Sequence, residues 1–176
     1  MPAATIRRCG PADAAMLADL GRRTFREAYE EQTDPAELEK HLLTAFSEEQ
    51  LRAEVSTPGS SFHVATISGS PAGFIKLNVG AAQTEQPNEN GLEIESLYVL
   101  REHQGTGAGG ALLDRALELA AQGAASYVWL GVWELNERGR AFWTRMGFDE
   151  YGSHPFAFAG GTHTDVLMRR AVGPTP

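Results

Sequence analysis

The residues best suited to chemistry stand together in Gln104-Gly105-Thr106-Gly107-Ala108-Gly109-Gly110. Four glycines in six residues leave the backbone free to curl, with no Cβ atoms in front of it. An apolar run, Leu92-Glu93-Ile94-Glu95-Ser96-Leu97-Tyr98-Val99-Leu100, precedes them, and a helical one, Ala111-Leu112-Leu113-Asp114-Arg115-Ala116-Leu117, follows. Strand, glycine loop and helix together aim backbone N–H groups and the positive end of a helix dipole at a phosphate. Acids favour the first turn of a helix, yet none occurs here before Asp114. That omission suits a foreign anion. The plain alternative is a surface turn that uses its glycines only for shape.

The kind of phosphate ligand is constrained by what surrounds the loop. A Walker loop needs Gly-Lys-Ser/Thr at its end, where Gly109-Gly110-Ala111 stands, so nucleotide hydrolysis is disfavoured. Gly105-Thr106-Gly107-Ala108-Gly109-Gly110 matches the dinucleotide pattern letter for letter. In a Rossmann unit, however, the glycines sit at the end of the strand, and here Arg101 to Gln104 intervene.

Composition removes other classes. The chain has 176 residues, 42% hydrophobic and 22% charged, which fits one soluble domain with a real core. A net charge of −8 argues against nucleic acid as a partner. The single cysteine, Cys9, excludes an internal disulfide framework and fits a reducing cytoplasm. The N-terminus lacks the apolar core of a signal peptide, and no uncharged run is long enough to span a membrane. His41, His63, His103, His154 and His163 show no metal-ligand spacing, so no metal is expected.

The elements that must position the loop follow from hydropathy patterning. Thr5 to Cys9 predicts a strand. Pro11-Ala12-Asp13 opens a helix whose apolar stripe runs from Met16 to Ala28. A second helix spans Ala36 to Phe46. A third starts at Ser47-Glu48-Glu49-Gln50, which has the form of a capping box. Phe62 to Ile67 and Ala72 to Val79 read as a hairpin, and Gly80 to Asn90 as a loop. Leu92 to Leu100 is a strand, Gly109 to Gln122 a helix and Tyr127 to Trp133 a strand. Asn136 to Met146 is a helix closed by Gly147. Phe148 to Tyr151 and Thr164 to Arg170 are last strands around a glycine-rich connection, and 173–176 is a frayed tail beyond a single domain of residues 1–172. The order is that of a mixed α/β sheet.

Gln104-x-x-Gly107-x-Gly109 after Leu97-Tyr98-Val99 resembles the acetyl-CoA signature of the GNAT N-acetyltransferase superfamily. Trp129-Leu130-Gly131-Val132-Trp133-Glu134-x-Asn136-Glu137-Arg138 and Arg145-Met146-Gly147-Phe148 look like the second half of that fold. Within the superfamily the chain is most similar to bacterial PaiA-type polyamine acetyltransferases. That pattern is echoed by Phe25-x-Glu27-x-Tyr29, Lys76-Leu77-Asn78, His154-Pro155-Phe156 and Thr164-Asp165-x-Leu167-Met168. The resemblance implies a six- to seven-stranded, mostly antiparallel mixed sheet, splayed between strands 4 and 5 and flanked by about four helices. It also implies acetyl-CoA as co-substrate and direct acetyl transfer to a primary amine of a small molecule. A non-catalytic acetyl-CoA-binding module, or acetylation of protein N-termini or lysines, stays open as an alternative, and so does a homodimer.

The resemblance also implies roles. The backbone of Gln104, Gly105, Thr106, Gly107, Ala108, Gly109 and Gly110 would hold the CoA pyrophosphate. Leu97, Tyr98 and Val99 would pair with pantetheine as an added strand, and a backbone N–H near Val99 would hold the oxyanion. Asn136 matches the position that holds the pantetheine arm, and it also suits plain helix capping. Arg138, Arg140 and Arg145 could meet phosphates or simply be solvated. Glu95 is the candidate base, on the strand leading to the acetyl group. Strict alternation would put Glu93, Glu95, Leu97 and Val99 on one face, and burial there would raise a carboxyl pKa. A solvated edge glutamate is the alternative. Trp143 stands where many relatives carry a tyrosine that protonates the thiolate. An indole cannot give up its proton at neutral pH, so Tyr98, Tyr127 or Tyr151 could act instead, and Trp143 could be core. Glu27, Tyr29 and Glu30 are the candidate acceptor-binding residues, suited to a cation by charge and ring.

Overall fold

The computed structural model describes residues 2–85 and 88–173. Of the expected tail, residues 174–176 lie outside the described residues. Seven strands, β1 (Thr5–Arg8), β2 (Ser60–Ile67), β3 (Ser70–Val79), β4 (Gly91–Val99), β5 (Tyr127–Trp133), β6 (Asp149–Phe158) and β7 (Gly161–Ala171), form one sheet in the order β1-β2-β3-β4-β5-β7-β6. Five α-helices flank it: α1 (Ala14–Tyr29), α2 (Pro35–Ala45), α3 (Glu48–Val55), α4 (Ala108–Gln122) and α5 (Glu137–Arg145).

The sheet covers two cores. On one side, Leu112, Leu113 and Ala116 of α4 pack on Ile75, Ile94 and Leu130. On the other, Leu17 and Leu20 of α1 and Leu51 of α3 pack on Phe62, Val64 and Phe74. The helix ends follow local chemistry. Asp34 caps α2 by accepting from the N–H groups of Ala36 and Glu37 at 3.0 and 3.1 Å, a contact typically worth about 1 kcal/mol. Ser47 accepts from the Gln50 N–H at 3.1 Å, but Gln50 donates to Glu54 rather than back to the cap, so only half of the expected capping box forms.

Neighbouring strands are antiparallel except β4 and β5, which run parallel and are in register only over Gly91–Tyr127, Leu92–Val128 and Glu93–Trp129. Beyond Glu93 and Trp129 the two strands have no pairing with each other, so the sheet opens into a wedge.

Two expectations need correction. The alternation along β4 is broken: Lys76 pairs with Ser96 and Leu77 with Ile94, so Glu95 is an extra residue, a β-bulge. The bulge resets parity. Leu92, Ile94, Leu97 and Val99 share the α4 side, while Tyr98 and Leu100 join the α1 side. Glu95 is therefore not on one face with Leu97 and Val99. The last two strands are also longer than patterning suggests, and their connection is a tight turn at Ala159 and Gly160, both left-handed. Pro155 masked the sixth strand, and it is tolerated there because β6 is the sheet edge.

Candidate active site

The loop after β4 makes one 3₁₀ turn, Arg101–His103, and then turns through Gly105 (φ +79°) and Gly107 (φ +92°) into α4. Left-handed backbone is cheap only for glycine. A Cβ at Gly105, Gly107 or Gly110 would meet nothing within 4 Å, so the peptide groups stand open. No side chain caps α4, and its first turn holds no acid. The first intrahelical bond runs from Ala111 N to Gly107 O at 3.0 Å. The N–H groups of Ala108, Gly109 and Gly110 precede it and lack intrahelical partners. Gln104 donates from Nε2 to the Val99 carbonyl at 3.2 Å, and its Oε1 lies 3.5 Å from Arg138 on α5. Arg140 instead pairs with Glu150 at 2.7 Å.

The wedge between β4 and β5 opens into a cavity of about 500 Å³. Leu97 and Tyr98 line it, with Gly131 and Trp133 of β5 and Asn136 at its mouth. Asn136 caps α5 by accepting from the Gly139 N–H at 2.9 Å, so it serves the helix and the cavity at once. Trp143 also reaches the wall, but it is 93% buried, wedged between the Phe142 and Phe148 rings at 4.9 and 5.1 Å.

Glu95 lines the cavity too. Its Oε2 takes both a 2.6 Å hydrogen bond from Asn78 and the Lys76 ammonium at 2.7 Å, which leaves Oε1 for the cavity. Lys76 is buried and lies 2.8 Å from Glu54 as well. Burial pulls its pKa down, but Glu95 and Glu54 outweigh burial and hold it above the ordinary value, so it stays an ammonium. Asn78 is fully buried, accepts from Ser60 at 2.7 Å and also donates to Glu93 at 3.0 Å. Glu93 is in turn committed to the backbone and hydroxyl of Thr84, which ties down the loop after β3.

Of the three tyrosines that could replace the missing acid, only Tyr98 faces the cavity. Tyr127 donates to Asn88 at 2.7 Å at the closed end of the sheet, and Tyr151 lies under Arg169 on the outer strand. Tyr98 is hydrogen-bonded to Tyr29. Burial, then Tyr29, then the Asp165 and Glu95 carboxylates push the Tyr98 phenol well above its ordinary range. Burial raises Tyr29 as well. Both remain neutral hydroxyls.

The acceptor residues read from sequence divide. Tyr29 is on the cavity wall. Glu27 and Glu30 are not: Glu27 accepts from the Arg101 N–H at 2.7 Å and Glu30 lies 3.7 Å from the Arg101 guanidinium. In their place the wall carries Asp165 of β7. Its side chain lies against Gly131, where a Cβ would come within 3.0 Å of Oδ2. Burial raises its pKa, and His154 partly restores the charge. His154 Nε2 is 3.3 Å from Asp165 Oδ2, and His154 Nδ1 rests against the Glu85 carboxylate. An acid at the head of the apolar run Val166-Leu167-Met168, within an expected strand, is a signal akin to the one that marks Glu95, and it would have found Asp165. Among the described residues no cluster of His, Cys, Asp or Glu is arranged to hold a metal, and no helix is long and apolar enough to cross a membrane.

A wedge between two parallel strands, set beside an uncapped and acid-free helix start, defines the N-acetyltransferase class. The chain belongs to the acetyltransferase (GNAT) family, whose model matches residues 16–148. It is 35% identical over 153 residues to an uncharacterised N-acetyltransferase encoded in the pepI 3' region of Lactobacillus delbrueckii subsp. lactis, covering 87% of this chain and 88% of that one. An uncharacterised N-acetyltransferase of Mycobacterium tuberculosis is 28% identical over 160 residues, covering 91% and 98%. Among solved structures, a PaiA N-acetyltransferase of Thermoplasma acidophilum in complex with coenzyme A superimposes with a TM-score of 0.78 at 21% identity, covering 96% of this chain and 99% of that one. The ribosomal-protein-S18-alanine N-acetyltransferase of Escherichia coli gives 0.72 at 16% identity, covering 99% and 97%. These last two likenesses speak to the fold.

Proposed function

We propose that the chain, as one domain over residues 1–172, transfers the acetyl group of acetyl-CoA to a primary amine of a small molecule, a polyamine being the best match. The observation that carries this is the wedge: β4 and β5 part after three paired residues, beside open N–H groups at the start of α4. Gln104 to Gly110 would hold the pyrophosphate by backbone. The free edge of Leu97, Tyr98 and Val99 would accept the pantetheine arm as an extra strand, with Asn136 at its side. Bound there, acetyl-CoA supplies an activated thioester carbonyl.

The chain's own groups do the rest. Glu95 Oε1 faces the attacking nitrogen and takes a proton from it as the amide forms, directly or through water, while Lys76 and Asn78 fix Oε2. A positioned base contributes about 10²–10⁴-fold. The Tyr98 hydroxyl on the cavity wall would hydrogen-bond to the departing thiolate, and Trp143 would serve as packing. Phe25, Tyr29, Trp133 and Phe158 with the Glu95 and Asp165 carboxylates suit an extended cation.

The test is CoA release measured with polyamines, aminoglycosides, amino acids and peptides. Turnover on a small amine supports the reading, and turnover on peptides alone moves the acceptor to protein. Tight acetyl-CoA binding without turnover on any amine would make the protein a binding module.

A further inference from the structure

The cavity holds two carboxylates, and they are wired differently. Glu95 is locked to Lys76 and Asn78. Lys76 stays an ammonium and so cannot accept a further proton. Asp165 is the opposite case. Its Oδ2 lies 3.3 Å from His154 Nε2, and the other ring nitrogen of His154 rests against Glu85. Side-chain exposure rises outward along this row, from 21% at Asp165 through 25% at His154 to 35% at Glu85. A carboxylate, an imidazole with Nε2 toward it and a buried Nδ1 that abuts Glu85 without a formed hydrogen bond, and that second carboxylate, graded from cavity to surface, line up a path for a proton. Imidazole is the side chain that changes charge near neutrality.

We infer that Asp165, His154 and Glu85 form a proton exit from the acceptor site, an inference that rests on the acetyl-transfer reading. An amine enters as an ammonium and must lose one proton before its lone pair can attack. That proton passes to Asp165, from Asp165 to His154 Nε2, and from His154 Nδ1 to Glu85 and solvent. The nitrogen then forms its bond to the acetyl carbon as the carbon–sulfur bond breaks. The second proton of the nitrogen is taken by Glu95 as the amide forms and ends on the thiolate. One ammonium and one thioester give one amide, one thiol and one released proton, which is the proton the row carries.

The other titratable groups facing Asp165 are consistent with this. His163, on the same strand, favours the charged form of Asp165. The hydroxyls of Tyr29 on α1 and Tyr98 on β4 both stay protonated beside it. Burial raises the Asp165 carboxyl, which suits a group that must pick up a proton and release it.

The test is the pH profile of kcat/KM with the best amine, alongside direct acetyl-CoA binding as a check of folding. Asp165→Asn is expected to lose about 10²–10⁴-fold at pH 7. Its rate should climb about tenfold per pH unit toward the amine's own pKa, near 10.4 for an alkylamine, because only pre-deprotonated amine can react. His154→Ala should lose roughly tenfold or more, with saturable recovery on adding imidazole. Glu85→Gln should lose only a few-fold. An Asp165→Asn profile that parallels the wild type, whether at full rate or uniformly lowered through a raised amine KM, would reduce Asp165 to a binding contact and overturn the exit. If Asp165→Asn fails to bind acetyl-CoA, His154→Ala decides, and a variant that is neither slowed nor rescued overturns it. Failure of the wild type to turn over any amine would instead overturn the acetyl-transfer reading.

Discussion

The start of α4 presents peptide groups: Gly105, Gly107 and Gly110 leave its N–H groups bare, and no side chain caps them. The opposite wall of the cavity presents side chains, Glu95 from β4, Tyr29 from α1 and Asp165 from β7. A backbone site recognises a phosphate whatever it is attached to, so it suits a donor common to many enzymes. A side-chain site can be rebuilt residue by residue, so it suits acceptors that differ. On the proposed reading, chemistry and selectivity would reside on the wall that contributes side chains, and donor affinity on the wall that contributes backbone.

Four substitutions would break or sharpen that contrast. The largest effect is expected from Glu95→Gln, which should lower kcat by about 10²–10⁴-fold and leave the acetyl-CoA Kd within twofold, measured by steady-state kinetics and calorimetry. A full rate across pH would remove Glu95 as base. Gly107→Val forces a β-branched residue to φ +92°. A strain of about 1–3 kcal/mol predicts roughly 5–150-fold weaker acetyl-CoA binding with an unchanged amine KM, and equal damage to both constants would erase the division of labour. Tyr98→Phe should slow kcat by about tenfold or less, because a thiol with a pKa near 8.5 is a fair leaving group. A total loss of activity would mean that the Tyr98–Tyr29 pair shapes the acceptor site instead.

The fourth effect concerns stability and not the site. His63 on β2 is 99% buried, and neither of its ring nitrogens has a hydrogen-bond partner among the described residues. Burial, with Arg115 of α4 and Arg8 of β1 adding to it, pushes its pKa down to about 4. The unfolded chain therefore binds a proton there, near 6.5, that the folded chain refuses. Stability is complete above about pH 6.5 and falls on acidification toward pH 4, by on the order of 1 kcal/mol per pH unit. His63→Leu should flatten the melting temperature over this window. An unchanged slope would place the acid sensitivity elsewhere.

The geometry of the glycine loop was legible in the sequence because its information is local. Positive φ, a bare helix start and an absent acid are all written within a few consecutive residues. The side-chain wall of the cavity was less legible because it depends on register. Alternation placed Glu95 beside Leu97, and only the pairing of Lys76 with Ser96 and Leu77 with Ile94 exposes the bulge. Glu27 and Glu30 read as substrate ligands from their charge, but Arg101 lies far along the chain and claims them in space. Asp165 fell inside the expected strand Thr164 to Arg170 but was not singled out, because its partner His154 lies on β6, which was read as ending at Tyr151. Pro155 and the glycines around Gly160 look like loop when the edge position of β6 is unknown.

Mechanically, the three rungs from Gly91–Tyr127 to Glu93–Trp129 act as a short weld between two plates. One plate, β1 to β4, is stiffened by α1 and α3, and the other, β5 to β7, by its own long hairpin. The wedge is then the compliant direction of the sheet. A strand-like ligand that fills it supplies the missing rungs, so donor binding should do more than occupy a site. It should couple the two plates into a single elastic body, with slowed amide exchange along Leu97–Val99 and a higher melting temperature as the ligand's share of the load.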